Sequence, residues 1–404
     1  VRGLAVLTFI NLFNYLDRFV IAALVESIKH SELSLSDAQL GSLMTGFIVV
    51  YMATSPLFGA LGDRRARAPL IALGVALWSV STALAGLARG FASLFLARAL
   101  VGVGEAAYGT IAPSLLSDYF PRSRRGRVFA VFFAAIPIGS ALGYVLGGLI
   151  DRAWGWRAAF FVAGAPGLVL AWLCLRLPDP PRGAQEEAGP GPGSPDAGIA
   201  ATYRSLLGRA PYALTVLGYA AYTFALGGLA FWMPAFLERA RGVPRADATV
   251  QFGAIVVATG FVGTFAGGWL GDALLRRNRQ AYLWLSGAAT LLAAPLSALV
   301  FVARSASVYY PALVAAEILL FASTGPINSA VVNLVAPRER ATAVALCNFA
   351  IHALGDVPSP WLIGALSDRH GLGRAVMLVP IAILVSGAVW CLAALRSARE
   401  GAAP

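Results

Sequence analysis

Three charged residues stand where charge is expensive. Arg98 and Glu105 lie seven residues apart in an otherwise apolar run, residues 91–108, and Asp17 lies in the middle of another, residues 3–28. Seven residues are about two helical turns, so Arg98 and Glu105 leave nearly the same face. A charge at bilayer depth costs about 3 kcal/mol or more, so it faces a bundle interior or a water-filled path rather than lipid. Two carboxylates and a guanidinium can do two kinds of chemistry there. A carboxylate binds and releases a proton, and burial and a neighbouring arginine act on it in opposite directions. A planar guanidinium holds a phosphate or carboxylate through two oxygens. Asp17 and Glu105 are therefore the proton-coupling candidates. Arg98 either competes as their partner or holds an anionic headgroup. The alternative is a structural ion pair that orients two helices.

Other candidates surround these three. Arg18 joins Asn11 and Asn14 in a polar arc on the first helix, either lining a path or tying that helix to a neighbour. His352 and Asp356 are one turn apart and are followed by Pro358 and Pro360, which predict a bend or break. His352 could titrate or bind a headgroup, or simply make a hydrogen bond. Asn328 and Asn333 are weaker polar candidates, and Glu317 has no arginine beside it in the sequence. A catalyst is not expected. His30, His352 and His370 are scattered, and Cys174, Cys347 and Cys391 stand alone in apolar stretches. No metal-ligand spacing, nucleophile motif or phosphate-binding loop occurs, so neither metal nor cofactor is expected.

The elements that must position these residues are membrane helices. The chain has 404 residues, 58% hydrophobic and 13% charged, with a mean hydropathy of +0.72. Apolar runs of about 20 residues, the length that crosses a bilayer, recur from end to end. Twelve spans are predicted, at 3–28, 38–61, 69–88, 92–119, 126–150, 157–177, 211–237, 247–272, 279–302, 309–334, 340–366 and 371–396. No cleavable signal is evident. Residues 178–210 are rich in proline and glycine and poor in apolar side chains, so they read as a disordered linker between two six-helix halves, 1–177 and 211–404. Nucleic-acid binding does not explain the net charge of +11, because the arginines are divided among short loops. With a cytoplasmic N-terminus, nineteen basic residues fall inside and ten outside, which puts both termini and the linker in the cytoplasm. Lys29 is the only lysine, a bias that suggests a bacterial, GC-rich source and an inner or plasma membrane.

Four helix ends share one pattern: Gly59-Ala-Leu-Gly62-Asp63-Arg64, Gly148-Leu-Ile-Asp151-Arg152, Gly268-Trp-Leu-Gly271-Asp272 and Gly364-Ala-Leu-Ser-Asp368-Arg369. They close spans 2, 5, 8 and 11 and alternate between the two sides of the membrane. That alternation is the signature of inverted three-helix repeats nested in two parallel halves. The inner copies read as gates. Asp63 would cap the N-terminus of another helix, plausibly span 11, and Arg67 would pair with Asp118. Arg64, Gly59, Gly62 and Asp272 belong to the same signature. Plain topology-setting charge is the alternative reading.

Residues 59–67 resemble the loop 2–3 signature of the major facilitator superfamily, with Ala66 in place of the usual glycine. Asn14-Tyr-Leu-Asp17-Arg18, the run from Arg98 through Gly102, Gly104, Glu105 and Tyr108 to Pro113, and Pro137 to Tyr144 resemble its Spinster subfamily. The first two pieces also occur in organic-anion symporters of the superfamily; the Tyr108–Pro113 and Pro137–Tyr144 extensions point to Spinster. The resemblance implies an all-α fold of two six-helix bundles, alternating access, and functional roles for Asp17, Arg98 and Glu105, with Tyr108 beside them. It also implies a lysophospholipid or sphingosine-phosphate substrate. With the carboxylates read as proton sites, the expectation is a proton-linked transporter, a monomer among membrane lipids. The alternatives are a symporter of small organic acids, a drug exporter, or a membrane sensor without transport.

Overall fold

The computed structural model describes residues 2–181, 199–335 and 340–400, which are helical with short connections and contain no strand. The first six helices follow the first six predicted spans: α1 (Arg2–Lys29), α2 (Asp37–Arg64), α3 (Arg67–Ala85), α4 (Phe91–Tyr119), α5 (Arg122–Trp154) and α6 (Trp156–Leu175). After a short α7 (Ile199–Gly208) come α8 (Ala210–Arg241), α9 (Arg245–Leu275), α10 (Ala281–Val302) and α11 (Ala306–Asn333). The eleventh predicted span is not continuous. It is α12 (Arg340–Ile351), a π-helical turn (His352–Asp356) and α13 (Pro358–His370), followed by α14 (Leu372–Ala375) and α15 (Leu378–Glu400). Eleven described helices are long and apolar enough to cross a membrane, and the interrupted α12–α13 makes the twelfth.

Local sequence explains the breaks. Ser36 and Gln39 form a reciprocal capping box that starts α2. Pro358 has no N–H to continue the helix ladder, so the widened turn before it absorbs the mismatch. Gly155 and Gly371 adopt φ of +81° and +82°, values that L side chains rarely take. They end α5 and α13 just after the Asp-Arg ends of two repeat copies, so the repeats share a turn as well as a motif. Arg157 donates to the carbonyls of Gly86 and Ala88 at the end of α3, 2.8 Å each, and pairs with Glu32. The bond from Arg157 holds the Glu32 carboxyl below the usual range.

The distribution of side chains is that of a protein solvated by lipid. Phe265 and Trp269 are 74% and 75% exposed, whereas Asp17, Arg98 and Glu105 are at most 1% exposed. The chain forms two compact units, Val1–Pro192 with Pro234–Ala254, and Gly193–Met233 with Ile255–Pro404. In the first, α1 packs on α5 and α6, α3 on α4 and α6, and α2 on α4. In the second, α10 packs on α11 and α15. The expected linker is not wholly irregular: α7 lies inside it, with Leu206 fully buried and α7 against α12. Residues 182–198 of that linker lie outside the described residues.

Candidate functional site

Glycines bring α4 close enough to its neighbours to hold its charges inside the first unit. A Cβ on Gly102 would lie 2.5 Å from the Phe47 carbonyl oxygen of α2, and one on Gly104 would overlap Gly74 and Trp78 of α3. Both positions require the absence of a side chain. Glu105, one residue beyond, then faces α1.

The four central charges pair across helices. Arg98 Nη1 donates to Asp17 Oδ1 at 3.4 Å, and Thr82 Oγ1 of α3 donates to Asp17 Oδ2 at 2.7 Å. Arg18 Nη2 and Nε donate to Glu105 Oε2 at 2.7 and 3.3 Å. Of the two carboxylates for which Arg98 was expected to compete, it bonds Asp17, and Glu105 is taken by Arg18, so the pairs cross between α1 and α4. Arg18 also lies over the rings of Tyr15, Phe47 and Tyr51, with centroid distances of 4.9, 5.1 and 5.5 Å. Buried charges in pairs of this kind depend strongly on both partners.

A cavity of about 260 Å³ opens on one side of this set. Arg18, Glu105, Asn11 and Asn14 give it a polar wall, and Tyr15, Tyr51, Tyr108 and Phe132 an aromatic one. Tyr108 is anchored by donating its hydroxyl proton to the Leu7 carbonyl at 2.7 Å, and Asn11 Nδ2 donates to the Phe132 carbonyl at 2.9 Å. Asn14 Nδ2, Glu105 Oε1, and Arg98 Nε and Nη2 are buried without a hydrogen-bond partner among the described residues. Unsatisfied polar atoms are rare in native interiors, and two of these, Asn14 Nδ2 and Glu105 Oε1, belong to residues that line the cavity. Asp17 and Arg98 do not line it. Arg98 is fully buried behind it, so the cavity-facing cation is Arg18 and not Arg98.

The other predicted residues fall elsewhere. His352 Nδ1 lies 2.9 Å from Asp356 Oδ2 within the π-helical turn, and Thr223 Oγ1 of α8 lies 3.0 Å from the Ile351 carbonyl just before it, as near as to the Tyr219 and Ala220 carbonyls of its own helix. Asn333 is exposed at the end of α11. Its helix belongs to the second unit. Asn328 Nδ2 donates to Tyr219 Oη at 3.0 Å. In the signature loop, Arg67 bonds Asp118 at 2.5 Å and Asp179 at 3.0 Å. Gly62 and Gly59 sit against Ile111 and Thr110 of α4. Asp63 and Arg64 are exposed, and residues 336–339, just before the helix start that Asp63 was expected to cap, lie outside the described residues. Asp272 accepts from Tyr282 Oη at 2.7 Å.

One charged network escaped sequence reasoning. Arg239 bonds Glu26 at 2.6 Å and Asp37 at 2.6 and 2.9 Å, and Lys29 bonds Asp37 at 2.7 Å. Arg245 bonds Glu238 and Ser27, and Ser27 donates to Asp151. Taken singly, these residues are charges at or near helix ends. The signal was the nearly complete burial of Glu26 and Asp37, which a linear sequence does not display.

Residues 7–360 match the Major Facilitator Superfamily. The chain is 36% identical over 384 residues to Protein spinster homolog 1 of Homo sapiens, covering 90% of this chain and 72% of that one. It is 33% identical over 421 residues to the Sphingosine-1-phosphate transporter SPNS2 of Mus musculus, covering 97% and 76%. Protein spinster of Drosophila melanogaster is 34% identical over 377 residues, 90% of this chain but only 61% of that protein's length. A crystal structure of a bacterial homolog to the human lysosomal transporter Spinster, in an inward-facing and unoccupied conformation, superposes with a TM-score of 0.89 at 26% identity, covering 98% and 97% of the two chains. The crystal structure of a D-xylose–proton symporter shares the fold, with a TM-score of 0.71 at 17% identity over 97% and 95%. Its lipid-facing helices, its repeated helix-end motif and these likenesses make the chain a multi-pass transporter, not an enzyme, belonging to the Spinster family of the Major Facilitator Superfamily.

Proposed function

We propose that this transporter moves an amphiphilic anionic lipid, of the lysophospholipid or sphingosine-phosphate kind, linked to proton movement by alternating access. The observation that carries the reading is the crossed set Asp17–Arg98 and Arg18–Glu105 beside a cavity that is polar on one wall and aromatic on the other. Glu105 has one oxygen on Arg18 and one without a partner. Protonation of Glu105 would weaken its hold on Arg18, and the freed guanidinium matches a phosphate in charge and geometry. Substrate anion and proton would thereby be linked through one side chain, with Asn14 offering a further donor. Asp17, held by Arg98 and Thr82, is the second carboxylate of the coupling set. That SPNS2 proteins are named sphingosine-1-phosphate transporters supports the lipid class.

A small organic acid is the second reading, since about 260 Å³ suits a headgroup or a small acid equally. Two bundles, 1–177 and 211–404, around a cytoplasmic linker, with both termini cytoplasmic in an inner or plasma membrane, complete the proposal. Arg67, Asp118, Asp63 and the motif glycines would act as the inner gate.

Reconstitution in liposomes across a set pH gradient, with labelled lysophospholipid and labelled small acids in competition, separates the readings. A proton linked to each substrate contributes about 1.4 kcal/mol per pH unit, about tenfold in accumulation. Lipid uptake that follows the gradient, and is lost in Glu105→Gln while the protein stays folded, is expected. Undiminished gradient-driven uptake in that variant removes Glu105 from the coupling, and preferred uptake of the small acid replaces the lipid.

A further inference from the structure

The second unit holds a buried carboxylate of its own. Glu317, in the middle of α11, is 2% exposed. No described cation pairs with it. Its neighbours are uncharged along their middles: α10 has no charged residue, α9 has none between Asp247 and Asp272, and α8 has none before Glu238. The polar groups from those helices are otherwise engaged. Tyr222 Oη of α8 donates to the Leu320 carbonyl at 2.7 Å, and Thr290 of α10 bonds Ser323 at 3.2 Å. His352 is paired with Asp356. An ionised carboxylate buried without a counter-charge is strongly unfavourable, and such groups take up a proton instead.

Hydrogen-bond counting supports the same state. Thr259 Oγ1 of α9 lies 2.8 Å from Glu317 Oε2 and 2.7 Å from the Ile255 carbonyl oxygen. A hydroxyl carries one proton. With Glu317 ionised, both neighbours would compete for it. With Glu317 protonated, its O–H donates to Thr259 Oγ1, the threonine hydroxyl donates to Ile255, and both bonds form. The bond also spans a close contact: a Cβ on Gly263 would lie 2.6 Å from the Ile318 carbonyl, and one on Gly267 would overlap Ala322, while the Phe321 side chain of α11 sits over Gly260 and Gly263. The helices α9 and α11 approach there by backbone, so a relative movement of the two would break the Glu317–Thr259 bond.

We propose that Glu317 and Thr259 form a second proton-binding site, in the unit opposite the Asp17–Glu105 set, occupied when α9 and α11 are packed and emptied when they shift. Loss of the proton to water leaves a carboxylate; return of the bond requires its recapture. The site carries protons in addition to those linked through Glu105.

Two measurements on the full-length protein in liposomes test it. At pH 7 an ordinary glutamate is about 99% ionised, so infrared spectra should contain a carboxylic-acid stretch that disappears in Glu317→Gln and shifts in Thr259→Val, which keeps the shape but not the hydroxyl. Absence of any band assignable to Glu317 overturns the proposal, and Thr259→Val supplies the assignment should Glu317→Gln fold poorly. The second measurement counts protons moved per substrate under turnover. Glu317→Gln, or Thr259→Val in its place, should lower the ratio, while an unchanged ratio overturns the transport role. The infrared arm needs no substrate, so it stands or falls apart from the lipid reading.

Discussion

Arg18 and Arg98 are chemically identical and stand on α1 and α4, yet their surroundings divide their work. Arg98 is sealed against Asp17, whereas Arg18 keeps part of its side chain, 19%, accessible and stacks on three rings. Replacing Arg18 with alanine leaves Glu105 buried without a cation, a loss of about 3–5 kcal/mol, to be read as lowered thermal stability in detergent. The double variant Arg18→Ala with Glu105→Gln should recover most of it, because a neutral amide needs no counter-charge. Equal destabilisation of the single and double variants would show that Arg18 acts by packing rather than by charge. The sequence made Asp17, Arg98 and Glu105 conspicuous, since an isolated charge in an apolar run is visible without coordinates. It did not disclose who pairs with whom, because Arg18 and Glu105 are 87 positions apart. Glu317 was passed over for the same reason: its relevant neighbour, Thr259, is an uncharged residue on another helix.

At the scale of elements, the spans were legible from apolar length alone, and the four Gly…Asp ends from repetition. The interruption of α12–α13 was signalled by Pro358 and Pro360, but not its form, a π-helical turn carrying the His352–Asp356 pair. Helix α7 was missed because ten residues in a proline- and glycine-rich stretch give too little periodicity to separate from loop. Close packing of α4 is likewise a tertiary matter. Gly104→Val would drive a side chain into Gly74 and Trp78 of α3, costing about 1–3 kcal/mol by overpacking. It should also displace Glu105 from Arg18. Reduced thermal stability together with weakened lipid uptake is the expected result. Full stability in Gly104→Val would mean that α3 and α4 have room that the coordinates do not show.

For the whole molecule, the network of Arg239 with Glu26 and Asp37 bridges parts of the chain some 200 positions apart and ties the end of α8 to α1 and α2. Arg239→Ala removes those ties. A change of about 1.4 kcal/mol shifts a two-state population about tenfold, so a cysteine introduced at buried Leu237 should gain reactivity toward a membrane-impermeant thiol reagent by several-fold. Unaltered labelling would assign the network to static packing. The length of α8 gives that network a mechanical meaning. Thirty-two residues give α8 a length of about 48 Å, well beyond the hydrocarbon thickness of about 30 Å, and Pro234 breaks its hydrogen-bond ladder five residues before Arg239. Swinging the piece beyond that joint, about 12 Å long, by about 20° carries its tip about 4 Å, the whole reach of an ion pair. The end of the helix is thus a latch on its own hinge: it can unfasten while the rest of the helix stays packed.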